Sequence, residues 1–214
     1  VVTMLETLKT LELPASSQEA LLPDSATFDK LNEYIDYYKN VFEFDAMSKF
    51  TLSTIDENIF KKGVFSEVDE VQDKINNITE TLQDLAQRLS NKLEKSSNFV
   101  TIKYTEKFGY NLYLTKKRSD LLKTKIKGKI LVVGDYKFSS KSFQYKYTTS
   151  GCRMSSDIID SLSDKLISLL NKLKVICVEK YNTVIENILS SYQGIFQKLV
   201  DFVAKMDFYK GAAK

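Results

Sequence analysis

The stretch VDEVQDKINNITETLQDLAQRLSNKL, residues 68–93, decides the fold. Its apolar residues recur at alternating steps of three and four: Val68, Val71, Ile75, Ile78, Leu82, Leu85, Leu89 and Leu93. This spacing is typical of an amphipathic helix with one continuous apolar seam. Ser66 is a candidate N-cap, and the acidic residues that follow it suit the positive end of the helix dipole.

A second and longer amphipathic stretch begins after Gly151, with Ser155 or Ser156 as its predicted cap. Its apolar seam consists of Ile159, Leu162, Leu166, Leu169, Leu173, Ile176, Val184, Ile188, Tyr192, Ile195, Leu199, Phe202 and Met206. Because this stretch contains no proline and only Gly194 weakens it, we expect one helix of about 50 residues. Its excess length is predicted to pack on shorter N-terminal helices, through Leu5, Leu8, Phe28, Leu31, Ile35, Tyr38 and Phe42.

Between the two helices the apolar pattern changes to period two, which is typical of strands. The alternating segments are residues 100–105, 110–115, 129–133 and 143–148. We therefore predict a mainly α fold with a small β insertion, in which long antiparallel helices carry a four-stranded antiparallel sheet at their far end.

Charge is distributed unevenly along the 214 residues, although the whole chain is only +3. Residues 1–98 hold 10 basic and 18 acidic residues, a net charge of −8, and residues 151–214 hold 9 and 7, a net charge of +2. Residues 99–150 hold 12 basic and 3 acidic residues, a net charge of +9. The predicted sheet therefore lies within a basic segment, which could bind a polyanion.

The composition excludes several kinds of site. The chain has no histidine, so a histidine-dependent triad or a histidine zinc site cannot form. Cys152 and Cys177 carry no metal-binding spacing, and we expect reduced thiols in a reducing compartment. No phosphate-binding loop of the G-x-x-x-x-G-K-[ST] type occurs, and Asp157 with Asp160 fits a helix N-terminus better than a catalytic pair. We therefore predict no catalytic residue and no metal ligand. No apolar run is longer than Ile130–Val133, so no membrane-spanning segment is expected.

Four phrases along the chain together resemble one protein family. They are NIFKKG at 58–63 followed by SEVD at 66–69; Ile102, Lys103 and Tyr104 leading to FGYNLYLTK at 108–116; Thr148, Thr149 and Arg153 before Ser156, Asp157 and Ile158; and Met206, Asp207 and Phe208 with Ala212 and Ala213. In this order and spacing they resemble the lever and clamp segments of MutS DNA mismatch repair proteins. The match covers residues 56–214, and residues 117–143 match no family phrase.

The resemblance implies a lever-and-clamp segment. Residues 1–98 would be the first part of the lever helices, 99–154 the β clamp and 155–214 the returning lever helix. Two such arms would embrace double-stranded DNA in a dimer with a second MutS subunit, without membrane contact. ATP and Mg would be bound by an ATPase outside this chain, so no cofactor and no enzymatic activity are expected of these residues. Valine at position 1 fits a segment of a longer protein, and the Lys, Asn, Ile, Tyr and Phe bias fits a divergent viral or organellar MutS.

The candidate DNA-binding residues cluster after the FGY phrase: Lys116, Lys117, Arg118, Ser119, Lys123, Lys125, Lys127 and Lys129. Cations there could neutralise phosphates and give salt-dependent binding that ignores sequence. Two other interpretations stay open. The lysines could serve solubility at strand edges, or the chain could be a structural coiled-coil arm whose basic tip binds a protein partner or an anionic membrane surface. Tyrosines of the sheet could stack on bases, but cross-strand packing explains them more simply.

Overall fold

A computed structural model describes Thr10 and residues 23–212 of the chain. In chain order, its elements are α1 (Ser25–Val41), α2 (Phe44–Met47), α3 (Ser66–Leu93), β1 (Thr101–Thr105), β2 (Gly109–Leu114), α4 (Lys116–Ile126), β3 (Ile130–Val133), β4 (Tyr136–Ser139), β5 (Gln144–Tyr147), β6 (Cys152–Ser155) and α5 (Asp157–Ala212). The fold is mainly α-helical with a small antiparallel four-stranded sheet, which confirms the predicted fold class at that level.

The chain divides into two compact units. Among the described residues, the helical unit contains 23–49, 59–64 and 177–212, and the mixed unit contains 50–58 and 65–176. Helix α5 runs without interruption through Gly194, and it contributes residues to both units. No helix in the described part of the chain has a stretch long and apolar enough to cross a bilayer.

In the helical unit, aromatic side chains join α1 to the C-terminal part of α5. The Tyr34 ring lies 5.4 Å from the Tyr192 ring and 5.1 Å from the Phe196 ring, measured between centroids. Phe42 is fully buried and its ring centroid lies 5.9 Å from that of Tyr181. These contacts confirm that residues beyond 176 pack on an N-terminal helix. Leu5 and Leu8, which were predicted to share this packing, lie outside the described residues.

The same two helices are joined by a polar contact at the start of α1. Asp24 caps the helix by accepting a hydrogen bond from the backbone N–H of Thr27 at 2.7 Å, and its other carboxylate oxygen lies 2.8 Å from Nζ of Lys198. The Lys198 hydrogen bond, helped by those from Thr27, lowers the pKa of Asp24 to about 2. A charged Asp24 therefore both caps α1 and pairs with α5.

In the mixed unit, the seam predicted for α3 is confirmed at its core positions. Val68, Val71, Ile75, Leu82, Leu85 and Leu89 are all buried. The predicted cap is wrong, because Ser66 is the first helical residue and Phe65 occupies the N-cap position without a side-chain hydrogen bond. At α5, by contrast, Ser156 Oγ accepts a hydrogen bond from the N–H of Ile159, as expected of a cap.

One of the four predicted strands lies outside the four-stranded sheet. The four-stranded sheet has the order β1, β2, β6, β5, with all neighbouring pairs antiparallel. The predicted strand at 129–133 is β3, but it pairs with β4 in a separate two-stranded sheet. The fourth place in the main sheet is taken by β6, which was not predicted as a strand although its first three residues fall within the predicted clamp range 99–154. The short segment CRMS carries too few residues for alternation to be visible.

The segment expected to connect strands is the helix α4. Thr115 caps it by accepting a hydrogen bond from the N–H of Arg118, and the helix buries Ser119, Leu122 and Ile126. These buried positions are spaced by three and four residues, which is a helical signal. The sequence analysis took this run only as the connection after the FGY strand and did not predict the helix.

Cys152 and Cys177 are both free thiols, as predicted, and the side chains of both are buried. Burial raises the pKa of Cys177, which keeps this thiol protonated and unreactive at neutral pH.

The tight turn between β1 and β2 explains the glycine of the FGY phrase. Gly109 has a φ of +62°, and a Cβ at this position would collide with Oγ of Ser163 on α5. That same Oγ accepts a hydrogen bond from the N–H of Tyr110 at 2.8 Å.

We expect Gly109→Ala to lower the free energy of unfolding by about 2 kcal/mol, since it adds left-handed strain and displaces this hydrogen bond. Urea denaturation measures the change, and Gly128→Ala, which has a similar φ of +74° but open space around it, is the matched control. Equal losses in the two variants would refute the close-contact explanation.

The Asp24 contact predicts a pH dependence of the helical unit. Because the pKa of Asp24 is lower in the folded chain than its ordinary 3.8, its stabilising contribution is complete above about pH 4 and is lost as the pH falls toward 2. We expect NMR titration to give a pKa near 2 for Asp24, and a value closer to 3.8 in Lys198→Met. An unchanged pKa in that variant would mean that the Thr27 cap alone holds the carboxylate charged.

Candidate nucleic-acid interface

Helix α4 presents a row of lysines because its opposite side is buried. Ser119, Leu122 and Ile126 are each at most 1% exposed, and α4 packs against α3. Seating these three residues forces the remaining positions of the helix outward. The contact with α3 is reinforced by Lys125, whose Nζ donates to the carbonyl oxygen of Leu93 at 2.8 Å. That carbonyl belongs to the last turn of α3, where a cation complements the helix dipole.

Four of the predicted residues are exposed, and together we call them the α4 lysine surface: Lys116 and Lys117 at the start of α4, and Lys127 and Lys129 just after its end. Within the described part of the chain, none of the four makes an ion pair. Lys116 and Lys117 lie in the first turn of α4, at the positive end of its dipole, and this turn has no acidic residue. Cations are unfavourable for the helix there, so helix stability does not explain them.

The other predicted residues are engaged within the fold. The guanidinium of Arg118 stacks 3.5 Å above the Phe99 ring, a cation–π contact that fixes its plane. Ser119 is buried, and its hydroxyl donates to the carbonyl oxygen of Lys116 at 2.7 Å. The structure therefore gives Ser119 a role in seating α4 and not in the exposed surface. Lys123 and Lys125 are partly held by internal hydrogen bonds.

A small polar network ties α4 to strand β5. Lys123 Nζ donates to the Tyr147 hydroxyl at 2.8 Å, and this hydroxyl donates in turn to the Asp120 carboxylate. The hydrogen bond with Tyr147 raises the pKa of Lys123. Lys123 Nζ also lies 4.5 Å from the centre of the Tyr145 ring. The network fixes the position of α4 against the sheet, and with it the direction of the exposed lysines.

A second cationic group lies on the solvent face of the sheet, and the sequence analysis did not single it out as a site. Arg153 stacks 3.5 Å from the Phe108 ring, and Lys146 Nζ is 5.5 Å from the same ring. Strand register places Tyr113, Arg153 and Lys146 side by side across three strands, and Lys103 lies 5.1 Å from the Tyr113 ring. We call Lys103, Lys146 and Arg153 the sheet cations. The in–out alternation of the strands could have revealed them, had β6 been recognised.

The two cationic groups belong to opposite faces of the sheet. Directly opposed residues of an antiparallel pair share a face, so Tyr145 and Tyr147, which contact α4, lie on the face of Met154 and Cys152. Arg153 alternates with these residues and points to the other face. A ligand on the α4 lysine surface is therefore distinguishable by mutation from a ligand on the sheet cations.

Among the described residues, no group of three or more acidic or cysteine side chains is arranged to hold a metal ion. No known family model matches the chain. The chain is 23% identical over 206 residues to a protein of Acanthamoeba polyphaga mimivirus named "Putative DNA mismatch repair protein mutS homolog L359". The alignment covers 87% of this chain and 18% of that protein, so the chain spans about a fifth of its relative's length. The comparison supports a MutS-like sequence.

Tyr145 and Tyr147 allow a matched test of the polar network. The Tyr147 hydroxyl has two charged partners, whereas the Tyr145 hydroxyl is buried with no hydrogen-bond partner among the described residues, and burial raises the pKa of Tyr145 to about 12. We expect Tyr147→Phe to lower the free energy of unfolding by about 1 kcal/mol, and Tyr145→Phe to leave it unchanged or raise it by up to about 1 kcal/mol. Denaturant unfolding of both variants measures the difference. Equal destabilisation by the two changes would contradict the network.

Proposed function

We propose that this chain is the lever-and-clamp segment of a MutS-like DNA mismatch repair protein. Its mixed unit contacts the backbone of duplex DNA without reading the sequence, and its long helices couple that contact to an ATPase outside the chain. The observation that carries the proposal is the α4 lysine surface: two exposed lysines in the first turn of a helix that the unit holds in place, and two more just after that helix ends. The similarity to a mimivirus protein named as a mutS homolog supports it.

The chemistry of the surface favours phosphate as its ligand. Lysine presents a compact charge on a flexible stem, which suits phosphates whose positions vary along a duplex. The adjacent N-terminus of α4 adds the positive end of a helix dipole. Contacts of this kind give affinity and orientation, while sequence is read through base edges in the grooves. We therefore expect binding to perfectly paired and mismatched duplexes alike.

The lever role rests on the helices. Helix α3 has 28 residues and α5 has 56, and the apolar seam of each is buried over most of its length. Packed helices transmit displacements with little bending, so such elements could relay a nucleotide-driven movement to a DNA contact. ATP and Mg would bind in that ATPase, and the partner would be a second MutS subunit. On this proposal the present residues have no catalytic activity of their own.

A salt series tests the DNA-binding part of the proposal. Fluorescence anisotropy of labelled homoduplex and mismatched duplex DNA is measured with the whole 214-residue chain. Engagement of about four phosphates predicts that log affinity falls with log salt at a slope near −3.6, with the same slope for both duplexes. Replacing Lys116, Lys117, Lys127 and Lys129 with Gln is expected to weaken binding at least tenfold at low salt and to flatten the slope.

Two control variants test whether the effect is specific to the α4 lysine surface. Changing Lys39, Lys172, Lys205 and Lys210 to Gln removes the same charge from exposed positions elsewhere, and it is expected to leave the slope near its original value. Changing the three sheet cations to Gln tests the opposite face of the sheet. The proposal would be overturned if the chain did not bind DNA at low salt. It would also be overturned if the variant of the α4 lysine surface and the variant with the four other lysines changed weakened DNA binding equally. Binding to anionic vesicles without DNA binding would favour a structural arm.

A further inference from the structure

Strand β3 has a free edge. It pairs with β4 on one side, and among the described residues no strand pairs with its other side. The N–H of Ser140 donates to the carbonyl oxygen of Lys129, so Lys129 and Ser140 oppose each other at a hydrogen-bonded position of the hairpin. Bonded and non-bonded positions alternate in an antiparallel ladder, so the backbone groups of Ile130 and Val132 point away from β4. These two residues offer N–H and C=O groups to another strand.

A groove of about 310 Å³ runs along this edge. It is lined by Arg88, Asn91 and Lys92 of α3, by Ile126, and by four consecutive residues, 129–132. Because neighbouring residues of a strand point to opposite faces, a groove that touches 130, 131 and 132 must follow the strand's edge. No residue of β4 lines it, so it follows the edge that β4 leaves free.

The side chains around the groove indicate what could occupy it. Ile130 is 66% exposed and Val132 is 51% exposed, which is unusual for two neighbouring β-branched residues on one strand face. The charged residues of the lining are Arg88, Lys92 and Lys129, all cations. Asp84 pairs with Arg88 at 2.9 Å, so the positive excess of the lining comes mainly from Lys92 and Lys129.

We propose that this groove binds an acidic, extended peptide segment of a partner protein by strand addition to β3. The peptide backbone pairs with the free N–H and C=O groups of Ile130 and Val132. Its apolar side chains cover the exposed Ile130 and Val132 side chains, and its carboxylates meet Arg88, Lys92 and Lys129. Main-chain pairing provides affinity in this mode of recognition, and alternate side chains provide specificity. A duplex phosphate backbone would use the cations but would leave the strand edge and the two apolar side chains without partners.

The probe is a fluorescein-labelled heptapeptide of alternating Glu and Val, titrated with the whole 214-residue chain by anisotropy. The first control peptide is the same sequence N-methylated at every internal residue, which keeps charge and side chains but cannot pair as a strand. The second replaces each Glu with Lys. We expect saturable binding of the acidic peptide, at least tenfold weaker binding of the N-methylated peptide, and no binding of the basic peptide.

Two variants at one position test the edge itself. Val132→Pro removes the outward N–H, whereas Val132→Thr keeps the N–H and the β-branched shape. Binding is expected to fall at least tenfold in Val132→Pro and less than threefold in Val132→Thr. If the proline variant does not keep the folded circular-dichroism spectrum, the triple change of Arg88, Lys92 and Lys129 to Glu replaces it, and this variant must also lose the acidic peptide.

Amide hydrogen exchange gives a readout that charge alone does not produce. Addition of the acidic peptide is expected to slow exchange at Ile130 and Val132, the two outward amides, by at least tenfold. Three results would overturn the proposal: equal binding of the acidic and N-methylated peptides, unchanged exchange at these amides, or equal affinities of the proline and threonine variants for the acidic peptide. Protection of the same amides by duplex DNA and not by the peptide would assign the groove to phosphate binding and would also overturn it.

Discussion

The seating of α4 is the constraint on which the proposed interface depends. The sequence KKRSDLLKTKI is highly charged, and its helix is anchored by the burial of Ser119, Leu122 and Ile126. The burial of these three residues sets the rotation of the helix, and that rotation leaves Lys116 and Lys117 facing solvent. Without this anchoring, the same residues would form a charged loop of undefined direction. A cluster of charge along the sequence becomes a surface only because a few uncharged residues hold it.

The sequence predicted the long helices well because their apolar seams are long. In α5, a dozen or so recurring positions outweighed the single weak point at Gly194, and the helix indeed continues through it. The sheet was predicted less well, because strands of four residues carry little periodicity. The four-residue strand Cys152–Ser155 was not predicted, and β3 pairs with β4 outside the main sheet. Pairing between strands is a tertiary choice, and local alternation does not determine it.

The candidate site was predicted in composition but not in geometry. The basic segment was evident from charge counting, yet counting treats every cation as equivalent. The structure divides them into exposed lysines, such as Lys116 and Lys127, and cations held by aromatic rings or carbonyls, such as Arg118 and Lys125. It also brings Arg153 and Lys146 together from β6 and β5. Neither this division nor the pairing of Arg153 with Lys146 is visible without knowing which residues lie next to each other in the folded chain.

The division between lysine and arginine in the mixed unit has a physical meaning. Arg118 and Arg153 each lie 3.5 Å above a phenylalanine ring, so their guanidinium planes are fixed, while the N–H groups at the edge of each plane remain available to an acceptor. The exposed lysines, in contrast, keep flexible stems. A surface that reads bases needs several rigid donors matched to base edges, whereas a surface that holds a backbone benefits from mobile charges with a few fixed points. On the proposed function, arginines fixed on aromatic rings and accompanied by flexible lysines would hold phosphates and ignore sequence.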